Sequence, residues 1–290
     1  MQMRIEIRTD GPGTEITGVD LRKPPAELAR QVQESLYAQR VVVIRNQELA
    51  PSDYLAWSRM LGRPQVYPID VYNHPEHPEI YVSSNLKVDG KRFGVARTGY
   101  YWHTDCSFLT EPVSFTMLYL PVQPKSRRET LFVDMTRVLR DLDPALRDKI
   151  ASRWAIHGPN GRYKIREQDV GKPMHELVDE VDAAFPKVRH PCTIKHPVTG
   201  VEALYVNDGF TVGVEGLSDA EAQPVLKALF SRMHEPERVE AHVWRPGDVL
   251  IWENRQVIHR SGAAPQDEDY VVLRISIFDG LPFYKTASNT

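Results

Sequence analysis

Short segments rich in β-branched and aromatic residues recur along most of this chain, and they limit the folds open to it. They lie at 80–84, 114–120, 130–134, 192–196, 202–206, 249–252 and 271–279. Each has the length and composition of a strand, and Gly, Pro or Asn residues separate them. The pattern predicts a mainly β fold, a double-stranded β-helix (jelly roll) with flanking α-helices.

Apolar residues at helical spacing predict the flanking helices. Leu28, Val32 and Leu36 mark one helix within 24–39, and 51–61 is predicted to form a second. Further helices are expected at 144–154 and near 175–184. Another is expected to begin at Ser218, whose spacing to Glu221 is that of a capping box.

Length and charge limit the domain count and the class of partner. A chain of 290 residues with ordinary apolar content can bury one large core, so we expect a single domain over 1–290. A net charge of −3 provides no basic surface for nucleic acid and no polybasic membrane patch. A small-molecule substrate is therefore expected, without nucleic acid or membrane partners, and a homo-oligomer is compatible with the sequence.

Cysteine usage and the N-terminal segment indicate the compartment. Cys106 and Cys192 are the two cysteines, and they lack the spacing of a metal site. The first residues, MQMRIEIRTD, are charged and lack the apolar core of a signal peptide. There is no run of about 18 apolar residues, the length that a membrane helix needs. We expect a protein of the reducing cytoplasm.

Two distant motifs supply the ligands of a metal site. In GYYWHTD, His103 and Asp105 are two residues apart, so on an extended strand both side chains point to one face. His259, which follows the apolar run VLIW, is predicted to leave a buried strand and to be the third ligand. Two imidazoles and one carboxylate leave coordination positions open, as in non-haem Fe(II) oxygenases.

The strand that follows places an arginine among apolar residues. In VVLRISI, Val272, Arg274 and Ser276 alternate with apolar residues of the opposite face. An inward guanidinium cannot deprotonate and matches a carboxylate, so Arg274 near iron suggests a dicarboxylate cosubstrate. A surface arginine, or one in a structural ion pair, would show the same pattern.

Together these motifs resemble the TauD/TfdA-like family of Fe(II)- and 2-oxoglutarate-dependent dioxygenases. GTEITGVDL and VVVIRNQ match the family's opening strands, WHTD its H-x-D motif, and PGDVLIWENRQVIHRSG its distal histidine. The resemblance implies an enzyme that uses Fe(II), 2-oxoglutarate and O2. His103, Asp105 and His259 would bind the metal, and Thr130 of RRETLFVDM would bind the cosubstrate. In many relatives the cosubstrate arginine stands where this chain has Tyr270, so that role is carried over to Arg274 as in other branches.

Within the family, the chain is similar to the isonitrile-forming oxygenases of N-carboxymethyl-amino fatty acids. HPEIYVSS, RTGYYWHTD and the segment 163–181 carry this similarity. By position, Tyr67 and Lys164 match residues that bind the substrate carboxylate there, and Tyr101 is predicted to line the pocket. Pro68, Cys106 and Ala263 replace two tyrosines and a histidine of that group.

These departures leave the substrate class broader than the subgroup. We expect oxidation of a small amino-acid-like carboxylate by hydroxylation, desaturation or oxidative decarboxylation, which would include isonitrile formation. A taurine or sulfonate dioxygenase is the alternative within the family. A zinc hydrolase and a metal-free jelly-roll binding protein are the rivals from other classes.

Three further segments carry weaker expectations. Segment 85–97, which precedes the ligands, is interpreted as a lid, with a plain solvated connection as the alternative. Arg166 could line the pocket beside Lys164, or both could face water. Asn254 is expected to orient the site through hydrogen bonds rather than to touch the substrate.

Overall fold

Antiparallel strands dominate the computed structural model of the protein, which describes residues 2–88, 90–165, 169–262 and 267–285. The strands are β1 (Arg4–Ile7), β2 (Thr14–Thr17), β3 (Val41–Ile44), β4 (Arg63–Pro64), β5 (Tyr81–Ser84), β6 (Lys87–Val88), β7 (Lys91–Arg92), β8 (Phe115–Val122), β9 (Glu129–Asp134), β10 (Trp154–His157), β11 (Val188–Pro191), β12 (Thr193–Lys195), β13 (Glu202–Leu204), β14 (Thr211–Val214), β15 (Val239–Val243), β16 (Val249–Glu253), β17 (Val257–Ser261) and β18 (Val271–Phe278).

Helices flank these strands, as predicted. They are α1 (Leu28–Gln39), α2 (Pro51–Leu61), α3 (Met135–Arg140), α4 (Pro144–Ile150), α5 (Met174–Ala184) and α6 (Asp219–Met233), with short 3-10 turns at Asp70–Tyr72, Asn160–Arg162 and Pro236–Arg238. The predicted capping box is confirmed, because Ser218 caps α6 together with Glu221. Among the described helices, none combines the length and the apolar character needed to cross a bilayer.

Two sheets build the central layers of the fold. The larger has the order β1-β2-β3-β16-β8-β18-β4, with β5 also paired to β18, and the smaller has the order β15-β9-β17. Apart from the parallel pair β2 and β3, neighbouring strands in both sheets are antiparallel. The predicted jelly roll with flanking helices is confirmed, although the described strands do not close into one continuous barrel.

The core lies on both faces of the larger sheet. One apolar cluster joins it to the smaller sheet and includes Leu120, Phe132, Trp252 and Val272. A second cluster packs α1 and α2 against the opposite face. The alternation in β18 decides which residues face which cluster, since Leu273, Ile275 and Ile277 belong to the helix side. The predicted two-faced character of this strand is confirmed.

Two local predictions around the metal ligands were wrong. Residues 104–105 form an irregular turn rather than a strand, and His103 makes only an isolated bridge, to His259. His259 does not leave β16 but lies in the middle of β17, beyond a turn at 254–256. The strand prediction failed because hydrogen bonds to a distant strand, not local alternation, determine the path of the ligand segment.

Two helix boundaries also differ from prediction. The helix predicted at 144–154 ends at Ile150, because the chain turns through Ser152, with φ +56°, and then enters β10 at Trp154. The first helix begins at Leu28 rather than at residue 24, after a turn in which Leu28 N–H donates to Pro25 O. That residues 1–290 form one domain stays a prediction.

Candidate active site

His103 and His259 are joined through their backbones at the β17 edge of the smaller sheet. Each residue donates its N–H to the carbonyl of the other, over 3.0 and 2.9 Å, and the two ring centroids lie 4.3 Å apart. Only the fold creates this pairing, because the two residues are far apart in sequence. It fixes the backbone positions of both histidines relative to each other.

Asp105 completes a compact group of ligand atoms. Its Oδ1 lies 3.5 Å from His103 Nε2, and its Oδ2 lies 3.5 Å from His259 Nε2. Within the described residues, these three side chains are the group that could hold a metal ion, with ligand atoms within 4.8 Å of one another. All three side chains are buried. The structure therefore brings the predicted metal ligands together.

Neighbouring hydrogen bonds orient this group. His103 Nδ1 lies 2.8 Å from the carbonyl of Tyr101, which accepts its proton and leaves Nε2 as the free nitrogen. Thr116 donates to Asp105 Oδ2 over 2.7 Å. Asn254 in turn donates to the Thr116 hydroxyl over 2.9 Å, so its predicted orienting role agrees with its contacts.

The protonation states suit metal binding. Burial alone would raise the pKa of Asp105, but Arg274 and the two imidazoles hold it well below its usual range. Burial, together with the nearby His103, lowers the pKa of His259 well below its usual value. A charged carboxylate and a neutral imidazole are the forms that bind a divalent ion.

The donor set fits Fe(II). Ligand atoms about 2.1 Å from one ion lie within roughly 4 Å of each other, and both measured ligand–ligand distances of 3.5 Å fall within that limit. Two imidazoles and one carboxylate are also the set typical of non-haem iron with open positions. The three residues present thus match the ion that the resemblance implies.

Arg274 contacts the metal-ligand group directly. Its Nη1 donates to Asp105 Oδ1 over 2.7 Å, and its Cζ lies 4.0 Å from the centroid of the Tyr81 ring. Although burial opposes the charge, Asp105 raises the pKa of this guanidinium, which stays protonated. These contacts do not test the cosubstrate role predicted for Arg274. A second arginine also lines the cavity.

That second arginine, Arg128, was missed in the sequence. It lies two residues before Thr130, and both side chains line the same cavity. Strand alternation could have indicated it, because residues two apart on a strand share a face. Thr130 Oγ1 accepts a hydrogen bond from the Trp244 indole N–H over 3.0 Å. The Arg128 guanidinium lies 4.9 Å from the ring of Tyr270, which occupies the position of the arginine in many relatives.

One cavity joins the metal ligands to all the other predicted site residues. Its volume is about 150 Å³. Four cationic side chains and one carboxylate, Asp105, are among its described lining residues, so its walls favour anions. The cations are Arg128, Arg162, Lys164 and Arg274, and the other predicted residues in the lining are Tyr67, Tyr101, Thr130, His103 and His259.

The predicted substrate residues all line this cavity, and each has its own contacts. The Tyr67 ring packs edge-on against Tyr81, 5.2 Å between centroids, on the same side as Arg274. The Tyr101 ring is tilted against the His103 ring, with 4.8 Å between their centroids. Lys164 Nζ donates to the carbonyls of Ala96 and Arg97 over 2.6 and 2.5 Å.

Three other expectations meet the structure only in part. Segment 85–97 contains the hairpin β6–β7, and its end is attached to β5 through backbone hydrogen bonds between Val95 and both Val82 and Ser84. Its predicted lid role stays untested. Cys106 lines the cavity and adopts φ +57°. Arg166 and Ala263 lie outside the described residues.

Comparisons with known proteins agree with this geometry. The family model "Taurine catabolism dioxygenase TauD, TfdA family" matches residues 6–275. Pentalenolactone F synthase of Streptomyces arenae is 29% identical over 276 residues, which cover 92% of this chain and 91% of that protein. The alpha-ketoglutarate-dependent 2,4-dichlorophenoxyacetate dioxygenase of Cupriavidus pinatubonensis is 28% identical, with 84% and 87% covered.

Comparison with a solved structure supports the fold. A taurine dioxygenase from Burkholderia xenovorans superposes with a TM-score of 0.76 at 24% identity, covering 97% of this chain and 91% of that one. The family match spans both metal-ligand motifs and β18 through Ile275. The chain therefore belongs to the TauD/TfdA family and is an Fe(II)- and 2-oxoglutarate-dependent dioxygenase.

Proposed function

We propose that this enzyme oxidises a small amino-acid-like carboxylate, bound in the cavity beside the metal ligands. One observation carries the proposal: the described lining of the cavity has four cationic side chains against a single carboxylate. A dicarboxylate cosubstrate accounts for only part of this excess. A second anion, the substrate, would balance the remainder.

His103, Asp105 and His259 would hold the iron. When bound, the iron and 2-oxoglutarate supply the oxidising chemistry, in which O2 is consumed, the cosubstrate becomes succinate and CO2, and a substrate C–H bond is oxidised. The protein orients these three ligands through Tyr101 O and Thr116. Thr130 would donate its hydroxyl hydrogen to the distal carboxylate of the cosubstrate, since its oxygen already accepts from Trp244.

Substrate binding is assigned to three other lining residues, Tyr67, Tyr101 and Lys164. Tyr67 and Tyr101 present hydroxyl-bearing rings to the cavity, and Lys164 has an N–H left after its two contacts with backbone carbonyls. Burial and the positive charge of Arg97 lower the pKa of Lys164, which means that they disfavour its ammonium form. An anion bound beside Lys164 would stabilise that ammonium form. These groups would bind the substrate carboxylate.

Part of the remaining lining is apolar and would exclude water from the reacting carbon. It includes Ile69, Phe108, Val181, Phe185 and Phe210. A ligand with one anionic end and an apolar body matches this division. An N-carboxymethyl-amino acid, the substrate class of the isonitrile-forming oxygenases, has this character.

A sulfonate is the second candidate, because a sulfonate would satisfy the same cations and a taurine dioxygenase shares the fold. Carboxylate specificity is favoured because Arg274 presents a planar guanidinium, which pairs with a carboxylate through two parallel hydrogen bonds. A zinc hydrolase would have no use for the cosubstrate. A metal-free binding protein would show no turnover.

A substrate screen tests these alternatives together. Fe(II)-loaded protein is incubated with 2-oxoglutarate, O2 and one of three compounds: an N-carboxymethyl-amino acid, an aryloxyacetate or taurine. Succinate and oxidised product are measured by mass spectrometry. We expect coupled succinate and product from the N-carboxymethyl-amino acid, lost in His259→Ala and kept in His175→Ala, a control at an exposed histidine. Turnover of the aryloxyacetate alone would contradict the amino-acid-like class. Turnover of taurine alone, or turnover without 2-oxoglutarate, would contradict the proposal.

A further inference from the structure

Arg128 is a buried cation that has no anionic partner among the described residues. It is 8% exposed, and its Nη1 is buried without a hydrogen-bond partner. Across the described ranges, no carboxylate lies within ion-pair distance of its guanidinium. Its guanidinium packs on an aromatic ring, with Cζ 4.9 Å from the Tyr270 ring centroid.

Burying an unpaired guanidinium such as that of Arg128 lowers the stability of the fold. A guanidinium stays charged in proteins, and an uncompensated buried charge is strongly unfavourable unless an anion neutralises it. Burial lowers the pKa of Arg128, and the nearby groups that oppose this effect are the hydroxyls of Tyr100 and Tyr270 rather than a carboxylate. Contact with the Tyr270 ring compensates only in part. The environment of Arg128 therefore fits an anionic ligand that enters from the cavity.

The strand register places Arg128 beyond Thr130 as seen from the metal ligands. His259 lies opposite Phe132 in the pairing of β17 with β9, and Ser261 lies opposite Thr130. The Arg128 carbonyl continues the opposite edge of β9 by accepting from Trp244 N–H. Phe132, Thr130 and Arg128 thus follow one face of the chain, leading away from the metal.

Arg274 occupies a different place. It contacts Asp105, a metal ligand, at 2.7 Å, so its charge is already paired beside the metal. Its strand, β18, begins just after Tyr270, whose ring contacts the Arg128 guanidinium. The two guanidinium groups therefore have different surroundings, one beside a metal ligand and the other against the Tyr270 ring.

The cosubstrate has the shape to use the more distant position. 2-Oxoglutarate chelates a metal through its C1 carboxylate and its keto oxygen, and its other carboxylate lies three carbons further on. With the other end of the molecule held at the metal, that carboxylate would extend away from the metal ligands. Along β9 it would meet the Thr130 hydroxyl first and the Arg128 guanidinium next.

We propose that Arg128, together with Thr130, binds the distal carboxylate of 2-oxoglutarate, and that Arg274 faces the substrate instead. This assignment rests on the proposed cosubstrate site. It replaces the assignment to Arg274 predicted from the sequence. In this assignment the guanidinium that binds the distal carboxylate comes from the residue just before β9, against Tyr270, rather than from β18.

Ligand binding tests this assignment without turnover. Mn(II)-loaded protein is titrated by calorimetry with 2-oxoglutarate and with 2-oxopentanoate, in which a methyl group replaces the distal carboxylate. The variants are Arg128→Gln, Arg274→Gln and Arg127→Gln. Arg127 is the matched control, because it is the neighbouring arginine but is exposed and paired with Glu129.

We expect Arg128→Gln to weaken 2-oxoglutarate binding by about 30-fold or more, since a buried charge pair loses one partner. Binding of 2-oxopentanoate should change by less than about threefold, so the preference for the distal carboxylate collapses. Arg127→Gln and Arg274→Gln should keep this preference. A preference that survives in Arg128→Gln, or that collapses in Arg274→Gln, would overturn the assignment.

Folding of the variants is checked by circular dichroism and thermal unfolding. If Arg128→Gln does not fold, Arg128→Lys replaces it, and weaker binding of 2-oxoglutarate with unchanged binding of 2-oxopentanoate supports the assignment. Equal binding of 2-oxoglutarate by the lysine variant and the wild type overturns it. If wild-type protein binds Mn(II) but not 2-oxoglutarate, the proposed function itself fails, which is distinguishable from a failure confined to Arg128.

Discussion

The guanidinium of Arg274 donates to Oδ1 of Asp105 over 2.7 Å while it packs on the ring of Tyr81 at 4.0 Å. One arginine thus links a metal-ligating carboxylate to the aromatic wall on which Tyr67 also lies. This relationship makes the planar shape of the side chain important as well as its charge.

We therefore expect Arg274→Lys to lower kcat/KM for the carboxylate substrate by about 10- to 100-fold, because lysine keeps the charge but loses the planar contacts. Steady-state kinetics with succinate as readout measures the change. Arg63→Lys is the control, since Arg63 also lies over an aromatic ring, that of Phe278, but is exposed. Equal kinetics for the two variants would contradict this role of Arg274.

Thr116 holds Asp105 in position from behind. Its hydroxyl donates to Asp105 Oδ2 and accepts from Asn254. Thr116→Val keeps the shape but removes this hydrogen bond, and we expect the affinity for Mn(II) to fall by about 10- to 100-fold. Calorimetric titration measures this affinity. Thr116→Ser should restore most of it, and Thr110→Val, at an exposed threonine, should leave it unchanged.

Gly209 lies directly against the ligand segment. A Cβ at this position would meet His103 Cβ at 2.8 Å and the Trp102 carbonyl oxygen at 2.9 Å. Gly209→Ala should lower the free energy of unfolding by about 1–3 kcal/mol and weaken metal binding, because the backbone of His103 must shift. Gly161→Ala is the control, since a Cβ there meets no atom within 4 Å. Similar unfolding midpoints for both variants would argue against this contact.

Arg255 neutralises two buried carboxylates away from the active site. Its guanidinium donates to Glu253 Oε1 over 2.9 Å and to both carboxylate oxygens of Asp279 over 3.0 Å. Arg255→Met should lower the free energy of unfolding by about 3–5 kcal/mol at neutral pH, because it leaves these charges unpaired. Chemical denaturation measures the difference.

The pairing of Arg255 with Asp279 predicts that the free energy of unfolding depends on pH. Burial alone would raise the pKa of Asp279, but hydrogen bonds from Arg255 hold it below its usual value in the folded protein. A lowered folded-state pKa contributes stability above the unfolded value of about 3.9 and loses it as the pH falls further. The stability gap between wild type and Arg255→Met should therefore narrow in acid below about pH 4. A gap independent of pH would show that charge pairing is not its cause.

Several features were predictable because they depend on local patterns. The alternation around Arg274 gave the correct inward face, and the capping residues Ser218 and Glu221 gave the correct start of α6. The helix Pro51–Leu61 was predicted with its observed bounds. Each of these depends on neighbours within a few residues, where spacing alone decides which side chains can meet.

Other features depend on distant contacts and were predicted wrongly or missed. The conformation around His103 follows from its bridge to His259, and the position of β17 follows from its pairing with β9. Arg128 gave no signal beyond its spacing to Thr130, because its burial away from the described carboxylates is visible only in three dimensions.

By itself, the sequence determined the class of this protein: the residue types that bind iron, their order along the chain and the alternation that turns Arg274 inward. The tertiary structure decided which of the two arginines in the cavity has a carboxylate partner. Arg274 is paired with Asp105, whereas Arg128 is buried and has no carboxylate partner in the part of the chain that the structure describes. The physical reason is that pairing and desolvation of a charge depend on which distant strands meet around it, and spacing along one strand does not specify this.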